Sequence, residues 1–393
     1  MFEMLKEQPA DPLLALIKLF KSDPRPRKLD LGVGVYRDET GATPIMRAMK
    51  AAEKVLLENQ TTKTYLGPEG DMQFVELLKP IIFGKDHKFG DRLVGVQTPG
   101  GSGALRIGAE LITSARPDAQ LWISNPTWPN HPPMLGATGL TLFTYQYFNS
   151  VTQTLLFDEM IEAFNRANPG DVVLLHGCCH NPTGSDLSPA QWDTVAELLV
   201  KRGLIPFIDL AYLGLGDGLE ADAYGVRKVL NTVEEALVAF SCDKNFALYR
   251  ERTGVLYGLG KNAAQAAALV SHMAVGARVT WSMPPDHGAA AVRIILESEE
   301  LTKSWKSELT EMAARIGSVR KAVANSHPGL AFIADQKGLF SNLSIKPEQV
   351  TALRSDHGVY MAGSGRINLA GLRVEDAKAF TDALVGVRHL PAV

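Results

Sequence analysis

Between about residues 90 and 260 the chain alternates short apolar runs with amphipathic stretches, the pattern of a doubly wound sheet flanked by helices. Val94-Gly95-Val96, Leu121-Trp122-Ile123-Ser124, Leu140-Thr141-Leu142-Phe143, Val172-Val173-Leu174-Leu175 and the run ending at Phe207-Ile208 read as strands. Those without polar alternation read as buried on both faces, as in a parallel sheet. Residues Ala104 to Ile112 read as a helix that follows the glycine-rich turn Pro99 to Gly103. Ser188-Pro189-Ala190-Gln191 reads as a capped helix start, and Gly203 after Arg202 as its end. Beyond Ser298 the pattern becomes one long helix over Leu301 to Asn325. Phe332 with Ile333, and Leu339 to Leu343, read as short strands of a second, smaller domain. No internal repeat and no low-complexity segment interrupts this order.

Composition narrows the possibilities. The 393 residues are 46% hydrophobic, enough for a large core and two or three domains. A net charge of -3 gives no sign of a nucleic-acid or anionic-membrane partner. No apolar stretch approaches the ~18 residues of a membrane span. Glu3, Lys6, Glu7 and Asp11 interrupt any signal-peptide core, so a soluble, cytoplasmic protein is expected. Cys178, Cys179 and Cys242 are read as reduced thiols, because adjacent cysteines suit an ordinary disulfide poorly. A metal held by Cys178 and Cys179 with His176 and His180 is disfavoured, since all four lie in one tight segment with no second ligand cluster. No metal is expected.

The candidate chemistry lies at strand ends. Ser241-Cys242-Asp243-Lys244-Asn245-Phe246 places one lysine beyond an apolar run, and Arg252 follows eight positions later. A lysine amine bonds covalently to an aldehyde, and pyridoxal phosphate carries an aldehyde together with a phosphate that Ser241 and Arg252 can hold. His176-Gly177-Cys178-Cys179-His180-Asn181-Pro182-Thr183-Gly184 follows one buried run, and Asp209-Leu210-Ala211-Tyr212 follows another. Ligands of open α/β sheets sit at the carboxyl ends of strands, so Asn181, Asp209, Tyr212 and Lys244 are predicted to converge on one crevice. A carboxylate at Asp209 keeps a pyridine nitrogen protonated, while Tyr212 and Asn181 hydrogen-bond the ring's phenolate oxygen. Free backbone N–H groups between Pro99 and Gly103 suit a phosphate.

Five further runs complete a pattern: Gly32-Val33-Gly34-Val35-Tyr36, Thr61-Thr62-Lys63-Thr64-Tyr65-Leu66-Gly67, Gly100-Gly101-Ser102-Gly103-Ala104-Leu105, Asn125-Pro126-Thr127-Trp128-Pro129-Asn130-His131 and Ser364-Gly365-Arg366-Ile367-Asn368. In this order, and with the three runs above, the chain resembles the aspartate and aromatic aminotransferases of the fold type I, pyridoxal-phosphate-dependent class I family. The resemblance spans almost the whole chain. It implies an α/β fold with a mostly parallel doubly wound sheet in a large domain (44–311). It also implies a smaller α+β domain (11–43 and 312–393), and an arm (1–10) gripping a neighbouring subunit of a homodimer.

The resemblance also distributes roles. Lys244 holds the cofactor and shuttles a proton, with Asp209 and Tyr212 tuning the ring. His131 orients Asp209, and Trp128 stacks on the ring. Gly101, Ser102, Ser241 and Arg252 bind the phosphate, joined by Tyr65 of the neighbouring subunit. Arg366 clamps the substrate α-carboxylate, assisted by Asn181 and the backbone of Gly34, because a planar guanidinium holds two oxygens at once. Arg278 reaches across the dimer to a second carboxylate. Three residues depart from the family: Asp243, where a small residue precedes the lysine; Met283, where aspartate-selective members have asparagine; and Ser102, where they have threonine. An adaptable thioether at Met283 leans away from strict aspartate selectivity. The expected activity is ping-pong transamination of aromatic amino acids and of aspartate or glutamate, with 2-oxoglutarate as acceptor. A strict aspartate aminotransferase is the first alternative, and a β-lyase or decarboxylase using the same lysine a weaker one. A regulatory binding protein with a helix-turn-helix ahead of the cofactor domain has no room in the first fifty residues.

Overall fold

The apolar runs assemble into one seven-stranded sheet in the computed structural model, which describes residues 1–8 and 12–388. Its strands are β1 (Leu93–Pro99), β2 (Gln120–Asn125), β3 (Thr141–Gln146), β4 (Val172–His176), β5 (Ile205–Leu210), β6 (Ala236–Ser241) and β7 (Thr253–Leu259). The order across the sheet is β1-β7-β6-β5-β4-β2-β3. All neighbours are parallel except β7, which runs antiparallel to β1 and β6. The near-continuous apolar character of β4 to β7 follows from burial on both faces; every residue of β6 and β7 is buried. The edge strand β3 is mostly exposed, and Leu140 lies just outside it.

Helix α1 (Gly100–Ala115) begins on the first glycine of the turn, four residues earlier than its apolar periodicity suggests. Close packing explains the difference, because a Cβ on Gly103 would stand 2.7 Å from Pro99 Cδ and one on Gly108 2.5 Å from Phe207 Cζ. These glycines let the helix lie against the sheet. Helix α2 (Pro189–Arg202) has the expected capping box between Ser188 and Gln191, and Gly203 ends it at φ 64°. Helices α3 (Ala263–Thr280) and α4 (Glu299–Ser326) follow.

A separate apolar cluster joins Leu31 to Val319 and Val323 of α4, and to Leu330, Leu353 and Phe380. The antiparallel pair β8 (Phe340–Asn342) and β9 (Arg366–Asn368) belongs to this part of the chain. Phe332 and Ile333 do not form the strand expected of them. They lie in a 3₁₀ helix, Pro328–Ala334, where Leu330 and Ile333 are buried three residues apart on one side. The His327 side chain accepts from Gly329 N at 3.0 Å and starts that turn. Residues 9–11 and 389–393, which fall in the predicted arm and at the edges of the predicted smaller domain, lie outside the described residues.

Helix α4 runs from one part to the other, with Trp305 in the main core and Val319 and Val323 in the separate cluster. Phe246 stacks on Trp305 of α4 with ring centroids 4.3 Å apart and planes parallel, both rings fully buried. Trp305 Nε1 donates to Asn245 O at 2.8 Å, which ties α4 to the backbone next to Lys244. Phe246→Ala is expected to lower the unfolding free energy by about 3–5 kcal/mol, read from denaturant-induced unfolding. A loss under ~1 kcal/mol would show that this stack contributes little to holding α4 against the segment after β6.

Candidate active site

The carboxyl ends of the strands and the β8–β9 pair enclose a cavity of about 230 Å³. Gly101 and Ser102 reach it from the start of α1, Trp128 from the segment after β2, and Asn181 from the segment after β4. Asp209 of β5, Tyr212 just beyond, and Ser241, Lys244 and Arg252 at the β6–β7 connection complete one wall; Gly34 and Arg366 face them. Eleven of the residues singled out in the sequence therefore meet in one cavity. His131 stands directly behind it, and Tyr65 and Arg278 do not reach it within this chain.

Asp209 sits at the centre. Its Oδ2 is 3.2 Å from His131 Nε2, whereas Oδ1 is buried without a hydrogen-bond partner. Burial alone would raise the pKa of this carboxyl, but the His131 hydrogen bond and the positive charge at Lys244 outweigh it and hold the group below the usual carboxylate value. Burial pulls the Lys244 amine below the usual lysine value, opposed by the carboxylates of Asp243 and Asp209. Lys244 Nζ lies 5.5 Å from the centre of the Tyr212 ring. Asn181 Nδ2 donates to Tyr212 Oη at 3.4 Å, and Asn181 Oδ1 is a second buried acceptor without a partner.

Behind Asp209 runs a chain of buried rings. Thr127 Oγ1 lies 2.7 Å from His131 Nδ1 and 3.2 Å from His176 Nε2. His176 packs on His180 with ring centroids 4.1 Å apart, and His180 reaches Ser124 Oγ at 3.1 Å and Thr183 Oγ1 at 2.9 Å. Burial, helped by nearby His131, pushes the His176 pKa down to about 3, so this imidazole is neutral at pH 7.

The turn into α1 forms the cradle expected for a phosphate. Gly100 has φ 68°, and a Cβ there would stand 2.7 Å from Arg252 Nη2; a Cβ on Gly101 would approach Ser241 Cβ to 3.2 Å. Glycine is required by this approach, and Gly101 and Ser102, at the start of a 16-residue helix with no side-chain cap, line the cavity. Arg252 itself adopts φ 54°, turning its side chain back to the cradle. Its Nη1 donates to the carboxylate of Asp243, which is also 3.9 Å from Lys244 Nζ.

At the opposite wall Arg366 Nη2 donates to Gly32 O at 2.8 Å, while Nε is buried without a partner. The guanidinium lies over the Phe340 ring, 4.5 Å from its centre. Among the described residues no carboxylate pairs with Arg366, so its charge is available to an incoming anion. Phe340, Tyr249 and Asp243 also line the cavity and were not assigned from sequence as site residues. Phe340 left no local signal, because its strand pattern says only that it is buried. Cys178 and Cys179 are buried free thiols whose sulfurs lie within 4.8 Å of each other and of the Asp222 carboxylate. The histidines once grouped with them belong instead to the chain behind Asp209. Asp222 already accepts from Gly214, Gly216 and Asp217 backbone amides.

Burial of the His176 imidazole makes stability depend on pH. The unfolded chain takes up a proton at this imidazole below its usual 6.5, while the folded chain resists until about 3. Stability from this group is therefore complete above pH 6.5 and is lost as pH falls toward 3. Between pH 6.5 and 5 the loss is about 2 kcal/mol, and His176→Gln is expected to lack that share when denaturant unfolding is compared at the two values. Equal losses in both proteins would contradict it.

The family model described as "Aminotransferase class I and II" matches residues 26–384. A tyrosine aminotransferase of Rhizobium meliloti is 50% identical over 96% of this chain and 97% of its own length. An aspartate aminotransferase of Escherichia coli is 42% identical over 98% of this chain and 100% of its own. An aromatic-amino-acid aminotransferase from Burkholderia pseudomallei, solved covalently bound to pyridoxal phosphate, superposes with a TM-score of 0.95 at 37% identity, covering 98% of this chain and 99% of that one. With a glycine-lined anion cradle, a half-buried lysine and an arginine without a carboxylate partner in one cavity, and with relatives alike from end to end, the chain belongs to the class I and II aminotransferase family.

Proposed function

We propose that the chain is a pyridoxal-phosphate-dependent aminotransferase that moves the amino group of aromatic amino acids and of aspartate or glutamate to 2-oxoglutarate. The observation that carries this reading is the buried, partnerless Oδ1 of Asp209 beside the Lys244 amine in one cavity with Arg366. The donor set fits the cofactor. Asp209 Oδ1 lacks the cationic N–H that a protonated pyridine supplies, Tyr212 and Asn181 suit a phenolate oxygen, and the start of α1 with Ser241 and Arg252 suits a phosphate. Trp128 lines the same cavity and suits the face of the ring.

Bound pyridoxal phosphate supplies an aldehyde to hold the amino group and a ring that takes up the electrons of the broken Cα–H bond. The chain's own residues do the rest. Asp209, kept ionised by His131, holds the ring nitrogen's proton in place. Arg366 binds the α-carboxylate and so fixes which substituent of Cα faces Lys244. Lys244 Nζ would accept the Cα proton and return it on the other side of the same substrate's amino nitrogen, a transfer helped by the burial that lowers the amine's pKa. The first product leaves before the acceptor oxo acid enters.

The site is completed by a second copy of the chain. Tyr65 is 93% exposed, and Val275 and Val279 are exposed on the same helix as Arg278. Apolar surface of this kind flanking two residues of the expected pattern supports a homodimer with shared sites. The separate cluster around Val323 and Phe380 supports a cofactor domain of 44–311 and a smaller domain from 11–43 and 312–393, with the arm (1–10) on the neighbour.

Borohydride reduction of the holoenzyme followed by peptide mapping is expected to place the pyridoxyl group on Lys244; label on another lysine would refute its role. Substrate range turns on Arg278, whose guanidinium is held by Ser282 Oγ in this chain, while Met283 Sδ accepts from Leu66 N at 3.0 Å. Nothing polar at Met283 holds Arg278 in one place, so kcat/KM for phenylalanine and tyrosine should fall within about tenfold of that for aspartate. Arg278→Ala should weaken aspartate and glutamate far more than phenylalanine. Aromatic values ~1000-fold below aspartate would make this a strict aspartate aminotransferase.

A further inference from the structure

We infer that Asp243 makes cofactor binding proton-linked: its carboxyl stands in the phosphate cradle and takes up one proton from solvent when the phosphate enters. The inference rests on the pyridoxal phosphate reading above. It concerns a residue that departs from the family's small side chain and that the transamination chemistry leaves unused.

The cradle is otherwise built of donors. The N-terminal amides of α1, the Ser241 hydroxyl and the Arg252 guanidinium all present hydrogen to an anion. Asp243 stands among them, 3% exposed. Its Oδ2 accepts from Arg252 Nη1 and would lie 3.2 Å from a Cβ on Gly100, against the first turn of α1; its Oδ1 is buried without a partner. Asp243 N donates to Ser241 Oγ at 3.2 Å, so the main chain fixes the carboxyl in this place.

An ionised carboxylate offers only acceptor oxygens, whereas a protonated one carries a donor. A phosphate monoester brings about −1.5 to −2 charges and three acceptor oxygens. With both anions in the cradle Arg252 must serve two partners. The second cation, Lys244, is committed to the aldehyde end. Repulsion between the Asp243 and phosphate oxygens is then uncompensated. Protonation removes it, turning Asp243 from a competitor for Arg252 into an O–H donor to a phosphate oxygen. Only an O–H bond forms, no carbon bond changes, and Arg252 is released to the phosphate.

Among the chain's own groups, those facing Asp243 leave it as the responsive one, and the phosphate's second ionisation, at about pH 6, is common to wild type and Asp243→Asn. Its own segment contributes Cys242, Lys244, Tyr249 and Arg252; β5 and its exit contribute Asp209 and Tyr212; α1 presents only Gly100, Gly101 and Ser102; and Arg366 stands on the far wall. Burial pushes the Cys242 thiol well up and the Tyr249 hydroxyl up to about 12, so neither exchanges a proton near neutrality. Asp209 is held low by His131.

The test is the affinity of the full chain, freed of cofactor, for pyridoxal phosphate between about pH 6 and 9, with proton uptake counted calorimetrically in buffers of different ionisation enthalpy. Wild type should take up about one proton more per cofactor bound than Asp243→Asn, and its Kd should rise more steeply with pH. Near pH 8.5 Asp243→Asn should bind at least ~10-fold tighter than wild type. Pyridoxal without its phosphate should bind both proteins within about twofold. Asp243→Ser, which restores a small hydroxyl donor, should behave as Asp243→Asn does and serves if the amide variant fails to fold. Equal proton counts and equal affinities in wild type and variants would overturn the inference while leaving the cofactor reading intact. Failure of wild type to take up pyridoxal phosphate at any pH would overturn both.

Discussion

Burial and ionisation oppose each other at Asp209, and the rest of the site is arranged around that conflict. A carboxylate at the end of a central parallel strand is stripped of water, yet His131 and Lys244 keep it charged. One oxygen is satisfied by His131 and the other is left open toward the cavity. The histidine can do this because Thr127 and the neutral His176 fix it from behind. The seven-stranded sheet exists, in functional terms, to hold one unpaired carboxylate oxygen beside one lysine.

The same logic recurs on the facing wall. Arg366 is buried with a carbonyl and an aromatic ring as partners, so it retains charge for an anion. Phe340, the ring beneath it, is placed by Arg320 of α4, which donates to the carbonyls of Lys337 at 2.9 Å, Gly338 at 2.8 Å and Phe340 at 2.6 Å. Burial lowers the Arg320 pKa to about 10, still well above neutrality, so this brace stays charged. A cation satisfied wholly by carbonyls fixes backbone without competing for a carboxylate. Trp305 of the same helix holds Asn245, next to Lys244. Helix α4 thus positions both walls of the cavity.

Much of this was legible in the residues. The runs at 172–175 and ending at 207–208 lack polar alternation because both faces are covered, and that same feature located Asn181 and Asp209 at strand ends. The glycines at 100, 101 and 103 were legible as a turn but not as the first turn of α1, since helix propensity argues against them and only the close approach of Arg252, Ser241 and Pro99 reverses it. Phe332 and Ile333 misled because a two-residue apolar step has no period of its own. Phe340 and Arg320 were invisible, because Arg320 reaches carbonyls 17 to 20 positions further on and the ring of Phe340 meets a guanidinium from a different strand, and no local pattern encodes either contact. Asp243 was flagged as a departure, but its pairing with Arg252 required the left-handed backbone at Arg252.

The central claim is that Lys244, set beside an ionised Asp209, moves the substrate Cα proton. Exchange of that hydrogen measures it without a complete turnover: the holoenzyme is incubated with aspartate in deuterated water, no oxo acid added, and deuterium at Cα is followed by proton NMR. Wild type is expected to exchange the hydrogen, and Lys244→Ala to do so at least ~100-fold more slowly. Exchange at an undiminished rate in Lys244→Ala would place the proton transfer on another group and contradict the account.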